Sequence, residues 1–266
     1  MNTRALSSLL SCAALVLPLT AIARDRYAAP RAAMVADIRK DIRDAASSAD
    51  NVHLERALAA VARVPREKFV SRELRTAAYQ SNPLPIGFDQ TISAAYIVTI
   101  MTAALRLPEN ANVLDVGTGS GYQAAVLSLL AAHVSSIEIV RPLATAAARR
   151  LSRLGYRNVV IRAGDGYSGW TGRAPFDGII VAAGAAAIPQ PLIDQLKPGG
   201  RIVMPIGPSS VQEQLIVATK NTDGTMTRCS LGWVMFVPFT GSGERPTHSS
   251  GLMDRTIPDC FEGPIS

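Results

Sequence analysis

Short apolar runs separated by helix-like segments dominate the chain after residue 112. The runs lie at residues 113–116, 134–139, 158–162, 176–181 and 201–206. Apolar strands that alternate with crossover helices are typical of a parallel sheet that is buried on both faces. The pattern therefore predicts an α/β fold with a doubly wound, mostly parallel sheet.

Two further apolar runs, at residues 213–219 and 231–239, end this region. They are joined through residues 221–224, Asn-Thr-Asp-Gly, which leave no room for a crossover helix. A short turn of this composition favours a hairpin, so we expect the sheet to contain one antiparallel strand. A helix is expected at residues 189–196, and the Lys-Pro-Gly-Gly sequence at 197–200 indicates that the chain then stops and turns.

The first part of the chain has a helical period instead. Residues 34–46 carry apolar side chains at helical spacing, and further helices are expected at residues 52–63 and 96–105. Residues 64–70 should turn the chain into an extended segment, and residues 83–93, rich in breakers and small polar residues, predict a loop. An α-rich region with a polar loop therefore precedes the sheet.

A glycine-rich turn, Gly117-Thr118-Gly119-Ser120-Gly121, joins the first predicted strand to a helix that starts near Tyr122. Glycine adopts positive φ and lets a ligand approach bare backbone, and the N–H groups of a helix start suit an anion. Glu138 ends the next strand 21 residues after Gly117, a spacing at which an acid reaches ribose hydroxyls. The segment predicts a nucleoside site, and the alternative is a tight corner without a ligand.

The glycine spacing and Asp115 distinguish between nucleosides. The dinucleotide fingerprint is G-x-G-x-x-G, whereas this turn reads G-x-G-x-G. Asp115, two residues before the first glycine, disfavours a pyrophosphate and tolerates a cation. S-adenosylmethionine carries a sulfonium, an ammonium and a ribose but no phosphate, so we expect this ligand in preference to NAD.

Length and charge limit the number of domains and the kinds of partner that the protein can have. The 266 residues, 48% of them hydrophobic, are enough for one large α/β domain or one domain with a helical appendage. The formal charge is +6, from 27 basic and 21 acidic residues. Arg149, Arg150 and Arg153 lie together, but such a cluster on an amphipathic helix is usually solvated. We therefore expect no nucleic-acid partner, and we favour a monomer.

The N-terminus has the pattern of a secretory signal peptide over residues 1–23. A basic lead precedes an almost uncharged apolar run, and Ala21-Ile22-Ala23 forms an A-x-A cleavage site. A membrane anchor and a buried helix are the alternatives, but Pro18 and the alanine-flanked end favour cleavage. We expect export to the periplasm and no stable membrane association after cleavage.

Cysteine and histidine add little chemistry. Without Cys12, which lies in the leader, Cys229 and Cys260 remain, and one disulfide is conceivable in an oxidising compartment. We favour two unrelated thiols, because one is expected on a strand and the other in a tail. The tail, from residue 241, is rich in Gly, Pro, Ser and Thr, and we expect it to be poorly ordered. The three histidines lie in no motif, so no metal site is predicted.

Several motifs, in order, match a known family. They are Val-Pro-Arg-Glu-Lys-Phe-Val at 64–70, Leu-Pro-Ile-Gly at 84–87, Gln-Thr-Ile-Ser at 90–93, the turn region at 113–123, Gly-Asp-Gly at 164–166, Ala-Pro-Phe-Asp at 174–177 and Leu-Lys-Pro-Gly-Gly at 196–200. From about residue 31 to residue 240 the chain resembles the protein-L-isoaspartate O-methyltransferase family. The segments at 64–70 and 90–93 are highly specific for it. The resemblance implies a Rossmann-like class I methyltransferase fold.

The resemblance also implies an activity and a set of site residues. The activity is S-adenosylmethionine-dependent methylation of the α-carboxylate of isoaspartyl residues in damaged proteins, which serves protein repair. The implied donor-binding residues are Asp115, Gly117, Thr118, Gly119, Ser120 and Gly121 for the methionine part, Glu138 for the ribose, and Asp165 with Gly166 for the adenine. Ser93 would be the active-site serine, with Thr91 and Ile92 beside the substrate backbone. Taken alone, Ser93 would be interpreted as a helix-capping serine.

Two positions depart from the family pattern. Asp89 stands where glycine is usual, and Ala95 stands where proline is usual. Asp89 would repel an anionic substrate unless it points to solvent, and an alanine at position 95 should loosen the loop that carries Ser93. Ser93 is expected to orient a carboxylate that is already ionised at neutral pH, so no general base is required.

These inferences divide the chain into four parts: a signal peptide at 1–23, an α-rich region with the substrate loop at 24–106, a methyltransferase core at 107–240 and a tail at 241–266. Two other functions stay open. One is a non-catalytic module that binds adenosyl ligands or aged proteins, and the other is a nucleotide-dependent oxidoreductase. The location has an alternative too, because the family is usually cytoplasmic, where the methyl donor is made.

Overall fold

The N-terminal region is helical, as its sequence predicts. The computed structural model describes residues 25–45, 51–207, 213–242 and 256–260, so the expected signal peptide lies outside the described residues. Helix α1 spans Ala28–Ala45 and helix α2 spans Asn51–Arg63. Helix α1 begins earlier than its apolar periodicity indicates. Pro30 lies in its first turn, where backbone N–H groups make no hydrogen bond within the helix, so proline is accepted at this position.

The segment between α2 and the sheet differs from its predicted form. Residues Arg66–Lys68 make a 3-10 turn and not an extended segment. The loop predicted at 83–93 contains a two-stranded antiparallel hairpin, β1 (Leu84–Gly87) and β2 (Gln90–Ile92). Phe88 and Asp89 form its turn, each with a φ of 56°. Two consecutive left-handed residues are typical of a type I′ turn, and the usual Asn-Gly is absent, so the sequence pattern does not reveal the hairpin.

Helix α3 (Ala95–Ala104) leads into the main sheet. Its strands are β3 (Asn112–Val116), β4 (His133–Glu138), β5 (Val159–Ala163), β6 (Phe176–Val181), β7 (Leu196–Ile206), β8 (Glu213–Lys220) and β9 (Met226–Val234). In the described residues these seven strands lie in the order β5-β4-β3-β6-β7-β8-β9, and β8 is antiparallel to both of its neighbours. The predicted doubly wound, mostly parallel sheet with one antiparallel strand is therefore confirmed.

Two details of the sheet refine the prediction. Phe176 pairs with Leu196 and Gly178 with Arg201, so residues 197–200 bulge out of β7 where a turn was predicted. The last strand ends at Val234, whereas the apolar run predicted a strand as far as residue 239. Val234 pairs with Glu213, the residue at which β8 begins, so the regular pairing of β9 ends there.

Helices and strands share their hydrophobic contacts across the expected domain boundary. One buried cluster contains Ile42, Leu58 and Met101 from α1–α3 together with Val113 and Val203 from the sheet. The same cluster includes helix α4 (Tyr122–Leu127) and Leu151 of helix α5 (Arg141–Arg153). A second cluster joins Leu192 of helix α6 (Gln190–Asp194) to other residues of the sheet, among them Leu114 and Ile179. The α-rich region is thus packed into the core of the main sheet, and the boundary at residues 106 and 107 stays a prediction.

A disulfide joins Cys229 of β9 to Cys260. Our preference for two unrelated thiols is therefore wrong. Residues 256–260 run beside β9, where the Ser230 N–H donates to the Pro258 carbonyl at 2.8 Å and the Cys260 N–H donates to the Ser230 carbonyl at 2.9 Å. This part of the expected loose tail is thus paired, whereas residues 243–255 and 261–266 lie outside the described residues. No helix in the described part of the chain is long and apolar enough to span a bilayer.

Replacing both Cys229 and Cys260 by serine should destabilise the protein. The crosslink closes a loop between residues 31 positions apart, and its loss frees the unfolded chain at a cost of about 2–4 kcal/mol in the free energy of unfolding. Urea denaturation with and without a reductant measures this cost. The reductant should lower the stability of the parent and leave the double variant unchanged, and equal stability of the two oxidised proteins would contradict the expectation.

Candidate active site

A cavity of about 470 Å³ opens at the carboxyl ends of the central strands. Its floor is formed by residues that follow β3, β4, β5 and β6, namely Val116 to Ser120, Ile137 to Ile139, Gly166, and Ala182 with Ala183. The order of the sheet reverses between β3 and β6, and ligands of open α/β sheets bind at such a switch point. The glycine-rich turn therefore lies where the topology favours a ligand.

The three glycines of the turn have different structural roles. Gly117, Gly119 and Gly121 adopt φ values of 93°, 51° and 88°, a region that residues with a Cβ rarely adopt. Gly117 and Gly119 line the cavity, whereas Gly121 does not face it. A Cβ on Gly121 would lie 3.3 Å from Leu151 of α5, so this glycine allows the close packing of helix and turn.

Asp115 lies fully buried behind the turn in a chain of hydroxyl groups. The Ser136 Oγ donates to Asp115 Oδ2 at 2.7 Å, and the Thr118 and Ser136 hydroxyl oxygens lie 2.5 Å apart. Asp115 Oδ1 has no hydrogen-bond partner within the described residues. Burial raises the pKa of Asp115 to about 7; the Ser136 hydrogen bond opposes this rise, and the nearby Glu138 charge adds to it.

Glu138 braces the turn from the neighbouring strand. Its Oε2 accepts a hydrogen bond from the Gly119 N–H at 2.7 Å, and its Oε1 accepts one from the Val140 N–H at 2.9 Å. The side chain also lines the cavity. A carboxylate oxygen can accept more than one hydrogen bond, so Glu138 can hold the turn and still bind a hydroxyl of a ligand.

Within the Gly-Asp-Gly segment after β5, one residue lines the cavity and its neighbour does not. Gly166 lines the cavity, and a Cβ at this position would lie 2.3 Å from Val116 Cγ1. Asp165 lies outside the cavity wall, where its carboxylate accepts hydrogen bonds from the Tyr167 N–H at 2.8 Å and the Ser242 N–H at 2.7 Å. Burial would raise the pKa of Asp165, but these two hydrogen bonds outweigh it and lower the pKa.

The hairpin loop forms one side wall of the cavity. Thr91 is exposed, Ile92 is buried and Ser93 is half-buried, and all three line the cavity. Ser93 does not cap α3, because Ala94 occupies the N-cap position. The capping interpretation of Ser93 is therefore wrong, and the structure brings this serine to the same cavity as the glycine turn and Glu138.

The opposite side wall, residues 233–240, is not predicted as a site by the sequence. Trp233 and Met235 are exposed there, with 51% and 83% of their surface accessible. Glu213, buried in β8, accepts a hydrogen bond from the Phe236 N–H at 3.0 Å and so holds the wall. Burial raises the pKa of Glu213 to about 7. Pro238, which lacks a backbone N–H, is the one sequence signal for irregular chain here.

Comparison with known proteins identifies the family. The family model for protein-L-isoaspartate(D-aspartate) O-methyltransferase matches residues 40–244. The chain belongs to this family. The predicted resemblance is thus confirmed, and the match covers the hairpin loop, the glycine turn and both walls of the cavity.

Relatives in the family match most of the chain. A protein-L-isoaspartate O-methyltransferase 2 of Syntrophobacter fumaroxidans is 51% identical over 221 residues, 82% of this chain and 89% of the relative. A protein-L-isoaspartate O-methyltransferase 1 of Cupriavidus necator is 45% identical over 235 residues, 88% of this chain and 91% of the relative.

Solved structures of the family share the fold. A protein-L-isoaspartate O-methyltransferase structure superposes with a TM-score of 0.70 at 27% identity, over 80% of this chain and 67% of that chain. A Plasmodium falciparum β-aspartate methyltransferase structure, in complex with S-adenosyl-L-homocysteine, superposes with a TM-score of 0.64 at 21% identity. It covers 79% of this chain and 98% of its own.

Asp115 should make the stability of the protein alone depend on pH. The pKa of this carboxyl is about 7 in the folded protein and about 3.9 in an unfolded chain. Between these values the folded state keeps a proton that the unfolded state has lost. The contribution of Asp115 to stability is therefore complete below about pH 4 and is lost as the pH rises through about 7.

Asp115→Asn should remove the part of the pH dependence that comes from this carboxyl, up to about 4 kcal/mol in the free energy of unfolding between about pH 4 and pH 8. Denaturant titrations of the parent and the variant across this pH range measure the difference. Glu213→Gln is the matched comparison, because the pKa of Glu213 is also raised to about 7. Its loss should flatten the curve over the same pH range, and the effects of the two substitutions should add in the double variant. A pH profile of Asp115→Asn that runs parallel to that of the parent would contradict the assignment.

Proposed function

We propose that this protein transfers a methyl group from S-adenosylmethionine to the α-carboxylate of isoaspartyl residues in damaged proteins. The observation that carries the proposal is one cavity that joins the glycine turn and Glu138 to Ser93 of the hairpin loop. A methyl donor and an acceptor have to meet in one space, and these two halves supply it. The names of the relatives at 51% and 45% identity support the same activity.

The residues of the cavity floor fit S-adenosylmethionine. The backbone of Gly117, Thr118, Gly119 and Ser120 would hold the methionine part of the donor. Asp115 does not line the cavity; it is buried behind the turn with one unpartnered oxygen, Oδ1, and would act on the ammonium of that part through its charge. Glu138 would accept hydrogen bonds from the ribose hydroxyls. Gly166 would lie against the adenine, and Asp165 would support this end through its bonds to Tyr167 and Ser242. Gly121 would contribute through packing against α5.

The protein has to provide alignment more than acid–base chemistry. When bound, S-adenosylmethionine supplies a methyl group that is activated by the sulfonium. The isoaspartyl carboxylate is ionised at neutral pH, so it needs no general base. Ser93 would donate a hydrogen bond that orients one carboxylate oxygen, with Thr91 and Ile92 beside the substrate backbone. Alignment of this kind is worth effective molarities of roughly 10⁵ M or more.

The structure weakens one argument for the non-catalytic alternative. Asp89 is exposed at the tip of the hairpin and does not itself line the cavity, although the next residue, Gln90, does. Its carboxylate is therefore open to solvent, which screens its repulsion of a bound carboxylate. Ala95 is the first residue of α3, a position at which proline is also accepted. Ala95 is buried, so packing as well as backbone stiffness holds this end of the loop.

We further propose that the protein is exported and acts in the periplasm. Two independent features support this location: the signal-peptide pattern of residues 1–23 and the disulfide between Cys229 and Cys260. Disulfides persist in oxidising compartments and are rare in the cytosol. A cytoplasmic location, usual for the family, is the alternative.

Methyl transfer is tested with labelled S-adenosylmethionine and a pair of peptides that differ in a single normal or isoaspartyl linkage. We expect the label to enter the isoaspartyl peptide alone. Ser93→Ala should lower turnover by tens- to thousands-fold, because it removes a charged hydrogen bond worth about 1.5–3 kcal/mol and disturbs alignment. Its affinity for S-adenosylhomocysteine should stay nearly unchanged.

Glu138→Ala is the matched variant for the donor half of the cavity. It should weaken the donor by about 1–3 kcal/mol, measured by calorimetry, because hydrogen bonds to a charged group are lost. A Ser93→Ala enzyme as active as the parent would remove Ser93 from the active site. A parent that binds the donor and labels neither peptide would favour the non-catalytic module.

Export predicts a defined mature N-terminus. Cleavage after Ala23 would leave Arg24 as the first residue, and mass spectrometry of the protein from fractionated cells measures this. Replacing Ala21 and Ala23 by bulky residues should block cleavage and serves as the control. Recovery of the intact N-terminus in the cytoplasmic fraction of the parent would refute export.

A further inference from the structure

Arg66 is a buried arginine whose contacts lead to the active-site loop. Its side chain has no exposed surface. The Arg66 Nε donates to the Ala78 carbonyl at 2.8 Å, and the Arg66 Nη2 donates to the Ser93 carbonyl at 2.7 Å. One guanidinium thus ties the turn after α2 to the residue that we assign to the substrate carboxylate.

The positive charge of Arg66 is not balanced by an acid. Within residues 25–45, 51–207, 213–242 and 256–260, no carboxylate lies within ion-pair distance of it, and its Nη1 has no hydrogen-bond partner. Burial lowers the pKa of Arg66, but a guanidinium stays protonated in proteins. A buried and unpaired cation is costly, so its retention beside a loop that receives an anion needs an explanation.

Tyr122 provides a second link between Arg66 and the cavity. The Arg66 guanidinium carbon lies 4.8 Å from the centre of the Tyr122 ring, a cation–π distance. Tyr122 begins α4 directly after the glycine turn, and it lines the cavity. Arg66 therefore contacts both the substrate half and the donor half of the site from behind.

We propose that Arg66 is a positioning residue for the isoaspartyl carboxylate. It fixes Ser93 through the Ser93 carbonyl, and its unpaired charge draws the anionic substrate towards the loop. The role rests on the methyl-transfer function proposed above. The two actions of Arg66 should affect different kinetic constants. Loss of the hydrogen bond that fixes the loop should lower kcat, whereas loss of the charge should raise the KM for the isoaspartyl peptide.

Two variants of Arg66 separate these effects. Arg66→Met removes the charge and both hydrogen bonds, so kcat should fall and the KM for the peptide should rise, each by about 10-fold or more, as expected for a lost charged hydrogen bond. Arg66→Lys keeps the charge but cannot reach both carbonyls at once. Its KM should stay within about threefold of the parent while kcat falls, a partial rescue that a purely structural role would not give.

Arg31→Met is the matched control. Arg31 is a largely buried arginine of α1, with ion pairs to Asp25 and Glu67 and a hydrogen bond to Tyr79 at 3.1 Å. These partners, among the residues that the structure describes, lie outside the Ser93 loop. Its loss should lower stability and leave kcat and KM within about twofold of the parent. Equal kinetic losses in Arg31→Met and Arg66→Met, or an unaltered kcat and KM in folded Arg66→Met, would overturn the proposal.

Hydrogen exchange keeps the proposal testable if the parent transfers no methyl group. Amides of residues 90–95 should exchange faster in Arg66→Met than in the parent, and Arg31→Met should leave them unchanged. Unchanged exchange in Arg66→Met would overturn the loop-fixing role whatever the activity. An inactive parent with faster exchange in Arg66→Met would support loop fixing and count against the methyl-transfer function.

Discussion

Two carboxylates at the ends of adjacent strands hold the turn on which the whole site depends. Glu138 fixes the Gly119 N–H, and Asp115 is linked through Ser136 to Thr118 within the same turn. The turn needs positive φ at its glycines, a conformation with little intrinsic preference, and the hydrogen bonds from the neighbouring strand select it. The register of β3 against β4 places these groups together, so the sheet and the site form as one unit.

The sequence predicts those parts of the fold that have a local pattern. The buried strands β3 and β6 are mostly apolar, and the glycine turn has its own spacing, so both are visible without a structure. The hairpin is not visible, because Phe88-Asp89 is an unusual pair for a type I′ turn. The disulfide and the wall at 233–240 depend on contacts between segments far apart in the chain, which no local pattern encodes.

A buried acid and a buried cation lie behind two different walls of the cavity. Asp115 is buried behind the glycine turn, which we assign to the donor, and Arg66 is buried behind the Ser93 loop, which we assign to the substrate. A sulfonium donor with an ammonium group and a carboxylate acceptor carry the complementary charges. Arg66 has no salt bridge in the described chain and keeps its charge. Asp115 has none either, but its pKa of about 7 leaves it partly protonated at neutral pH, and a cation nearby would favour its ionised form.

The segment at 256–260 changes the exposed edge of the sheet. β9 is the last strand, and an edge strand offers unpaired N–H and C=O groups to the strands of other molecules. Here both backbone groups of Ser230 are occupied by the chain's own C-terminal residues, and the disulfide keeps them there. The segment therefore covers the middle of this edge, at one of the nine residues of β9, and the disulfide anchors it there.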